Sequence, residues 1–222
     1  MRLLLIRHGQ TTSNASGALD TRIPGAELTS LGQAQAQAIP EALAGEPVAA
    51  VYASRLVRTQ MTAAPLAAAR QLSVVVQPGL EEISAGDLEM KSDPPSRQAY
   101  IDCLTQWVGG NLDEVMPGGH DGHAFLARYR SALASLLSAH DGDDTVAVVS
   151  HGAAIRVFTA LTATLGPDVP PGLPLLNTGM ATLVGEPSDW VLDAWRSDPL
   201  GGPDLDDAAA VDPTGESQTT TA

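Results

Sequence analysis

Short apolar runs alternate along most of the chain with stretches of helical periodicity. The runs begin at residues 2, 48, 74 and 145, and each is too short to be a buried helix. Apolar runs of this length are typical of strands that are buried on both faces of a parallel sheet. The alternation therefore predicts an α/β fold in which a largely parallel sheet carries helices on both faces.

Helical periodicity and capping residues place the helices between these strands. The predicted helices span residues 31–43, 56–69, 95–108, 124–139 and 153–164. Two further strands, at 180–184 and 190–195, have the spacing of an antiparallel pair.

The end of the chain differs in composition from the rest. From Asp198 onward there are six acidic residues and no basic ones, among many Gly, Pro, Ser and Thr residues. This composition predicts a folded domain over 1–197 and an acidic, disordered tail over 198–222. We expect truncation after about Asp198 to leave activity intact, because the tail offers no apparent apolar anchor.

Charge argues against several classes of partner. The chain has 12 basic and 26 acidic residues and a net charge of −14, whereas nucleic acids and anionic membranes attract a basic face. No stretch approaches the roughly 20 apolar residues of a membrane-spanning helix. The single cysteine, Cys103, excludes an intrachain disulfide. A cytoplasmic protein without nucleic-acid or membrane partners is therefore expected.

Polar clusters follow three of the predicted strands, at the edge where ligands bind in parallel sheets. They are Arg7-His8-Gly9, Ser54-Arg55 with Arg58, and Ser150-His151-Gly152. A single histidine after a strand is usually structural, but two such histidines with arginines suit the transfer of a phosphoryl group. Arginine binds phosphate oxygens through a planar fork of donors, and imidazole is a competent nucleophile. Glycine lets the backbone approach a ligand closely.

A general acid for the leaving oxygen is expected just beyond the third strand. Glu81 and Glu82 both lie there, and either can equally be a solvated surface charge. His120 and His123 have a spacing that admits metal ligation, but no third ligand clusters with them in the sequence, so we expect no metal.

Five blocks, in order along residues 1–160, resemble the histidine phosphatase superfamily, also called phosphoglycerate mutase-like. They are LIRHGQTTSN (5–14), LTSLGQAQA (28–36), VYASRLVRTQMTA (51–63), LEEISAGDLE (80–89) and VVSHGAAIR (148–156). RHG alone is not specific, but the ordered combination is. The resemblance implies a three-layer α/β/α sandwich with a cap over roughly 84–122, and no metal or organic cofactor.

The resemblance also implies a role for each matching residue. His8 would be the phosphorylated nucleophile and Glu82 the proton donor. The other groups around the phosphate would be Arg7, Asn14, Arg58, His151 and Gly152. One departure lies in the cap, where His120 stands in the place of a glutamate in the family's PGGES segment.

A phosphatase acting on a small, anionic phosphorylated metabolite is the expected function. A phosphoglycerate mutase needs additional cations for its substrate, and only Lys91 and Arg97 lie between Ile83 and Leu126. A mutase therefore remains an alternative, as does a non-catalytic module that binds phospho-ligands. The few aromatic residues of the cap give no evident stacking platform for a nucleotide base. The sequence leaves a monomer and a homodimer equally open.

Overall fold

The computed structural model describes residues 1–166, 174–210 and 212–214. Within these residues, seven strands form one sheet in the order β3-β2-β4-β1-β6-β7-β5. The strands are β1 (Arg2–Arg7), β2 (Val48–Ala53), β3 (Val74–Val76), β4 (Thr145–Ser150), β5 (Ala163–Leu165), β6 (Met180–Glu186) and β7 (Asp189–Arg196).

Helices connect most of the strands. They are α1 (Thr12–Ser16), α2 (Ser30–Ala42), α3 (Val57–Ala69), α4 (Pro94–Val108), α5 (Gly122–Leu137) and α6 (Gly152–Thr162), with 3-10 turns at Gly86–Leu88 and Pro203–Leu205. The five longer helices confirm the predicted ones to within about two residues. In the described part of the chain, no helix combines the length and apolarity needed to cross a membrane.

The pairing of the strands confirms a mostly parallel sheet. Among the described residues, four of the six neighbouring pairs are parallel, and only the β1–β6 and β6–β7 pairs are antiparallel. The β6–β7 hairpin is the predicted antiparallel pair. Strand β5 was not predicted, because its residues follow α6 without a break. It forms where the edge of β7 offers backbone partners to Ala163–Leu165.

Strand β1 shows how the sheet separates the two halves of the core. Leu3 and Leu5 pack in one hydrophobic cluster with residues of α4, α5 and α6. Leu4 and Ile6 pack in a second cluster with residues of α2 and α3. Successive side chains of a strand point to opposite faces, so helices cover both faces of the sheet. The three-layer sandwich is confirmed.

The register of the parallel strands brings the predicted polar clusters together. Arg7 is level with Ser150, and Ala53 is level with Val149. The residues that follow β1, β2 and β4 therefore leave the same edge of the sheet side by side. A 3.0 Å hydrogen bond from the His8 amide to the Ser150 carbonyl holds the chain after β1 beside the end of β4.

The beginning of the predicted tail differs from expectation. Leu200 is buried in the second hydrophobic cluster, and its amide donates to the Thr178 carbonyl at 3.3 Å. Gln35 of α2 donates to the Leu205 carbonyl at 2.7 Å. The expectation that this segment lacks apolar anchors is therefore wrong, because its scattered leucines find partners on α2 and the loop before β6. Residues 215–222 lie outside the described residues, and the domain boundary stays a prediction.

Candidate active site

His8 lies directly after β1 with its side chain only 2% exposed. Its Nδ1 is 2.8 Å from the Gly9 carbonyl oxygen. A carbonyl only accepts hydrogen bonds, so Nδ1 carries the proton and Nε2 keeps its lone pair. Burial lowers the pKa of His8 well below 6.5, and the nearby charges of Arg58 and Arg7 lower it further. The ring is therefore a neutral imidazole with a nucleophilic nitrogen.

His151 stands beside His8 as the residue that precedes α6. The two ring centroids are 5.2 Å apart. Arg58 Nη2 lies 3.3 Å from His151 Nδ1, and Ser54 Oγ lies 2.8 Å from Nε2. Because Arg58 donates, Nδ1 is the unprotonated nitrogen. Burial, Arg58 and His8 together lower the pKa of His151 well below 6.5.

Two buried arginines supply the positive charge of the site. Arg7 is fully buried and Arg58 is 3% exposed. Among the described residues, Arg7 Nε and Arg58 Nε and Nη1 are buried without a hydrogen-bond partner. Asp20 approaches Arg58 Nη1 only to 3.6 Å, while its carbonyl accepts from Nη2 at 2.8 Å. Buried donors without partners are rare and costly, so these three donors are available to an anion. Arg7, His8, Arg58 and His151 are called the phosphate pocket below, after the role that the family resemblance predicts for them.

Gly152 lies against Arg7 of the phosphate pocket, and Asn177 links the Asn14 side chain to the His8 carbonyl. Asn14 forms a capping box with Thr11 at the start of α1, where its Oδ1 accepts from the Thr11 amide at 3.0 Å. The oxygen of the Asn14 side-chain carboxamide is thus engaged as an acceptor, and its NH2 group can donate to a ligand. Gly152 begins α6, and a Cβ there would lie 3.0 Å from Arg7 Nε. A side chain at this position would crowd the arginine.

The structure distinguishes Glu82 from Glu81. The Glu82 carboxylate accepts from the amides of Ala154 at 2.8 Å and Ala153 at 3.2 Å, in the first turn of α6. Burial raises the pKa of Glu82 above 4.5, against the opposing effect of its backbone donors and Arg58. Glu81 is also desolvated, but a 2.6 Å bond from Arg55 and other donors leave its pKa lowered. Glu82 therefore holds a proton more readily than Glu81 and lies beside the phosphate pocket.

An outer cavity of about 390 Å³ adjoins Glu82. Its charged wall includes Arg22, Arg55 and Arg128, and none of the three belongs to the cap. The prediction against a mutase rested only on the cations between Ile83 and Leu126. It therefore underestimated the positive charge that lines the outer cavity. The loops after α1 and β2, together with α5, deliver these side chains to one place.

The three arginines of the outer cavity differ in how far they are engaged. Arg128 donates to the carbonyls of Gly79 at 2.8 Å and Glu81 at 2.9 Å, so it mainly holds the loop that carries Glu82. Arg55 Nε is bonded to Glu81. Among the described residues, the Arg22 side chain makes a single hydrogen bond, 3.4 Å long, from Nη2 to the Gly86 carbonyl. Arg22 and the Nη atoms of Arg55 thus remain available to a ligand.

Comparison with known proteins decides the family. A profile described as the histidine phosphatase superfamily (branch 1) matches residues 3–198. The chain belongs to the histidine phosphatase superfamily.

Two curated relatives show how the family match extends along the chain. PE-PGRS family protein PE_PGRS11 of Mycobacterium tuberculosis is 37% identical over 227 residues, 93% of this chain but 38% of that protein. The chain thus spans well under half of that relative's length. The probable phosphoglycerate mutase GpmB of Yersinia enterocolitica is 28% identical, with 96% of this chain and 98% of that protein covered.

Solved structures of phosphatases share the fold. A mycobacterial glucosyl-3-phosphoglycerate phosphatase in complex with VO3 matches with a TM-score of 0.73 and 27% identity, covering 88% of this chain and 98% of that one. The alpha-ribazole phosphatase of Shigella flexneri matches with a TM-score of 0.67 and 26% identity, covering 88% and 96%.

His120 and His123 of this histidine phosphatase lie in different surroundings. His120 lines the outer cavity, whereas His123 is exposed and its Nε2 lies 3.1 Å from Asp113 Oδ1. Across the residues described, no three His, Cys, Asp or Glu side chains are grouped as metal ligands. Trp107 and Phe125 also border the cavity, but they stack on each other with centroids 6.1 Å apart and both are buried.

Sequence reasoning missed two side chains that reach the phosphate pocket from the end of the chain. Arg7 Nη2 donates to the Asp212 carboxylate and, at 3.0 Å, to Thr214 Oγ1. Asp212 is 6% exposed. No motif signals this contact, because the two partners are 205 positions apart and Asp212 is one of several acidic residues in its segment.

Proposed function

We propose that this histidine phosphatase hydrolyses a small phosphorylated metabolite through a phosphohistidine formed on His8. The observation that carries the proposal is the neutral His8 ring, whose Nε2 has a lone pair and whose pocket holds three guanidinium donors that have no partner among the described residues. A phosphoryl group brings the negative charge that these donors lack. Transfer of such a group depends chiefly on positioning and on charge stabilisation.

The first step forms the covalent intermediate. Arg7 and Arg58 hold the phosphate oxygens, and His8 Nε2 attacks phosphorus as the bond from phosphorus to the leaving oxygen breaks. Glu82, whose pKa is raised by burial, gives its proton to that oxygen, so the product leaves as an alcohol.

The second step returns the enzyme to its starting state. A water molecule gives its proton to the Glu82 carboxylate and attacks phosphorus. The N–P bond breaks, inorganic phosphate forms, and His8 regains its lone pair.

We also propose that hydrolysis needs no metal ion. Arg7 and Arg58 already provide two positive charges within the phosphate pocket, where burial strengthens their effect on a transferring phosphoryl group. EDTA is therefore expected to leave turnover unchanged.

The outer cavity supports a substrate whose leaving group carries a second negative charge. Arg22 and Arg55 line it with guanidinium donors that are not fully engaged. The phosphatase neighbours are named for glucosyl-3-phosphoglycerate and alpha-ribazole phosphate, which are phosphorylated small molecules. A cytoplasmic location and the oligomeric state stay predictions.

A phosphoglycerate mutase is the second candidate. It is favoured by the cations of the outer cavity, which a carboxylate-bearing substrate requires, and by the GpmB relative that matches over nearly its whole length. A mutase returns the phosphoryl group to a bound organic product, whereas a phosphatase gives it to water.

The deciding experiment measures p-nitrophenyl phosphate hydrolysis in EDTA for the wild type and His8→Ala. We expect wild-type turnover, and a loss of at least about 10⁴-fold in the variant, the order seen when a covalent nucleophile is removed. An acid-labile phosphoenzyme should be trapped in the wild type only. Unfolding temperature measured for both proteins separates lost chemistry from lost fold.

Two results would overturn the proposal. Turnover that survives in His8→Ala contradicts the phosphohistidine. Absence of hydrolysis by folded wild type, together with interconversion of phosphoglycerates, establishes the mutase instead.

A further inference from the structure

The segment after β7 runs close to the active site before it reaches Arg7. Leu200 is packed in the core, and the Leu205 carbonyl is bonded to Gln35. The Asp207 carboxylate then accepts from Gln10 Nε2 at 2.8 Å, two residues beyond the nucleophile. These contacts hold the following residues, Asp212 and Thr214, near the phosphate pocket.

The hydrogen bonds of Arg7 show what this proximity does to the guanidinium. Nη1 donates to the Leu175 carbonyl at 2.8 Å. Nη2 donates to the Asp212 carboxylate and to Thr214 Oγ1. Nη2 has two hydrogens, so these two acceptors use both of them. Nε remains without a partner among the described residues.

A bound phosphoryl group needs an N–H group of Arg7 that Asp212 and Thr214 occupy. Side-on bidentate binding by arginine uses the parallel N–H groups of Nε and Nη2. With Nη2 engaged, Arg7 has only Nε left on that side. The segment also crowds the neighbouring backbone, since a Cβ on Gly152 would lie 2.5 Å from the Thr214 carbonyl and 3.0 Å from Arg7 Nε.

We propose that Asp212 is an intramolecular competitor of the phosphoryl group, so that the C-terminal segment restrains the resting enzyme and a phosphorylated ligand displaces it. The proposal rests on the proposed function, in which Arg7 binds phosphate. Tethering through Leu200, Leu205 and Asp207 gives the carboxylate a high effective concentration at Arg7. In the absence of a ligand, the carboxylate gives the buried Arg7 guanidinium a partner of opposite charge.

The test measures the affinity for inorganic phosphate by calorimetry. Asp212→Asn removes the charge, and a chain that ends at Ala210 removes Asp212 and Thr214 but keeps the packed part of the segment. Asp206→Asn is the matched control, since Asp206 is exposed and its substitution changes the net charge by the same amount as Asp212→Asn. KM and kcat for p-nitrophenyl phosphate are measured on the same proteins.

We expect both changes at the Arg7 contact to tighten phosphate binding and lower KM by about tenfold, the effect of one charged hydrogen bond. We expect kcat to change little and Asp206→Asn to match the wild type. Phosphate binding that is unchanged or weaker without Asp212 overturns the proposal and makes Asp212 a residue that positions Arg7. Equal tightening in Asp206→Asn also overturns it, because the effect is then one of net charge.

The proposed function can fail separately. If the wild type does not hydrolyse phosphate esters but loss of Asp212 still tightens phosphate binding, the competition is supported and the phosphatase is not.

Discussion

The phosphate pocket and the outer cavity are neighbours, yet they are built differently. All four side chains of the phosphate pocket are at most 3% exposed, and strand ends or the start of α3 hold them. In the outer cavity the Arg55 side chain is 51% exposed, and loops supply most of the wall. Burial makes charge effects strong in the first and solvent weakens them in the second. We therefore expect the reaction chemistry to depend on the phosphate pocket and the choice of substrate to depend on the outer cavity.

Glu82 lies where the two regions meet, and its loss should have the larger effect. We expect Glu82→Gln to lower kcat by about 10²- to 10⁴-fold for substrates with poor leaving groups. The variant keeps the shape of the side chain and lacks the proton that the leaving oxygen needs. Steady-state rates on an alkyl phosphate measure the loss. Glu81→Gln is the neighbouring control, and an equal loss there would show that the loop rather than the proton is responsible.

The pH dependence of kcat/KM tests the protonation states that the proposed reaction requires of Glu82 and His8. Glu82 must be protonated, so the rate falls as pH rises through its pKa, which burial places above 4.5. His8 must be neutral, so the rate falls as pH drops through its pKa, which lies well below 6.5. We expect a bell-shaped profile for the wild type, with its acid limb below pH 6.5. Glu82→Gln should lose the alkaline limb, and a limb that persists there would assign it to another group.

The arginines of the outer cavity should affect recognition and leave the chemistry intact. We expect Arg22→Gln and Arg55→Gln each to raise KM by up to roughly tenfold for a substrate with a second anionic group, because each removes a charged but partly screened contact. KM for p-nitrophenyl phosphate, which lacks that group, should stay the same. Arg97→Gln in the cap is the control, since Arg97 does not line the cavity. Equal losses on both substrates would mean that the outer cavity also serves the reacting phosphate.

The smallest effect is expected at His120, which is exposed at the edge of the outer cavity. His120→Ala should change kcat/KM by less than about fivefold, as most contacts at a binding surface do. The change should be the same with and without EDTA. Restoration of a larger loss by added zinc would instead show that His120 binds a metal.

Much of the fold and of the phosphate pocket was predictable from local sequence patterns. Apolar runs of strand length located β1, β2, β3 and β4, and ligands bind at the carboxyl edge of such sheets. His8 and His151 follow two of these strands directly, so their proximity required only that the strands be parallel neighbours. The choice of Glu82 over Glu81 came from the family resemblance, and its physical basis in burial and the α6 amides appears only in the structure.

Sequence alone thus predicted the α/β sandwich and the cluster of histidines and arginines, because these follow from periodicity and from residues at or shortly after strand ends. Tertiary structure decided the positive wall of the outer cavity, the surroundings of Glu82 and the contact between Arg7 and Asp212. Those features join segments up to 205 positions apart. Local patterns carry no information about such pairs, since the folding of the whole chain sets which exposed or acidic side chain meets which arginine.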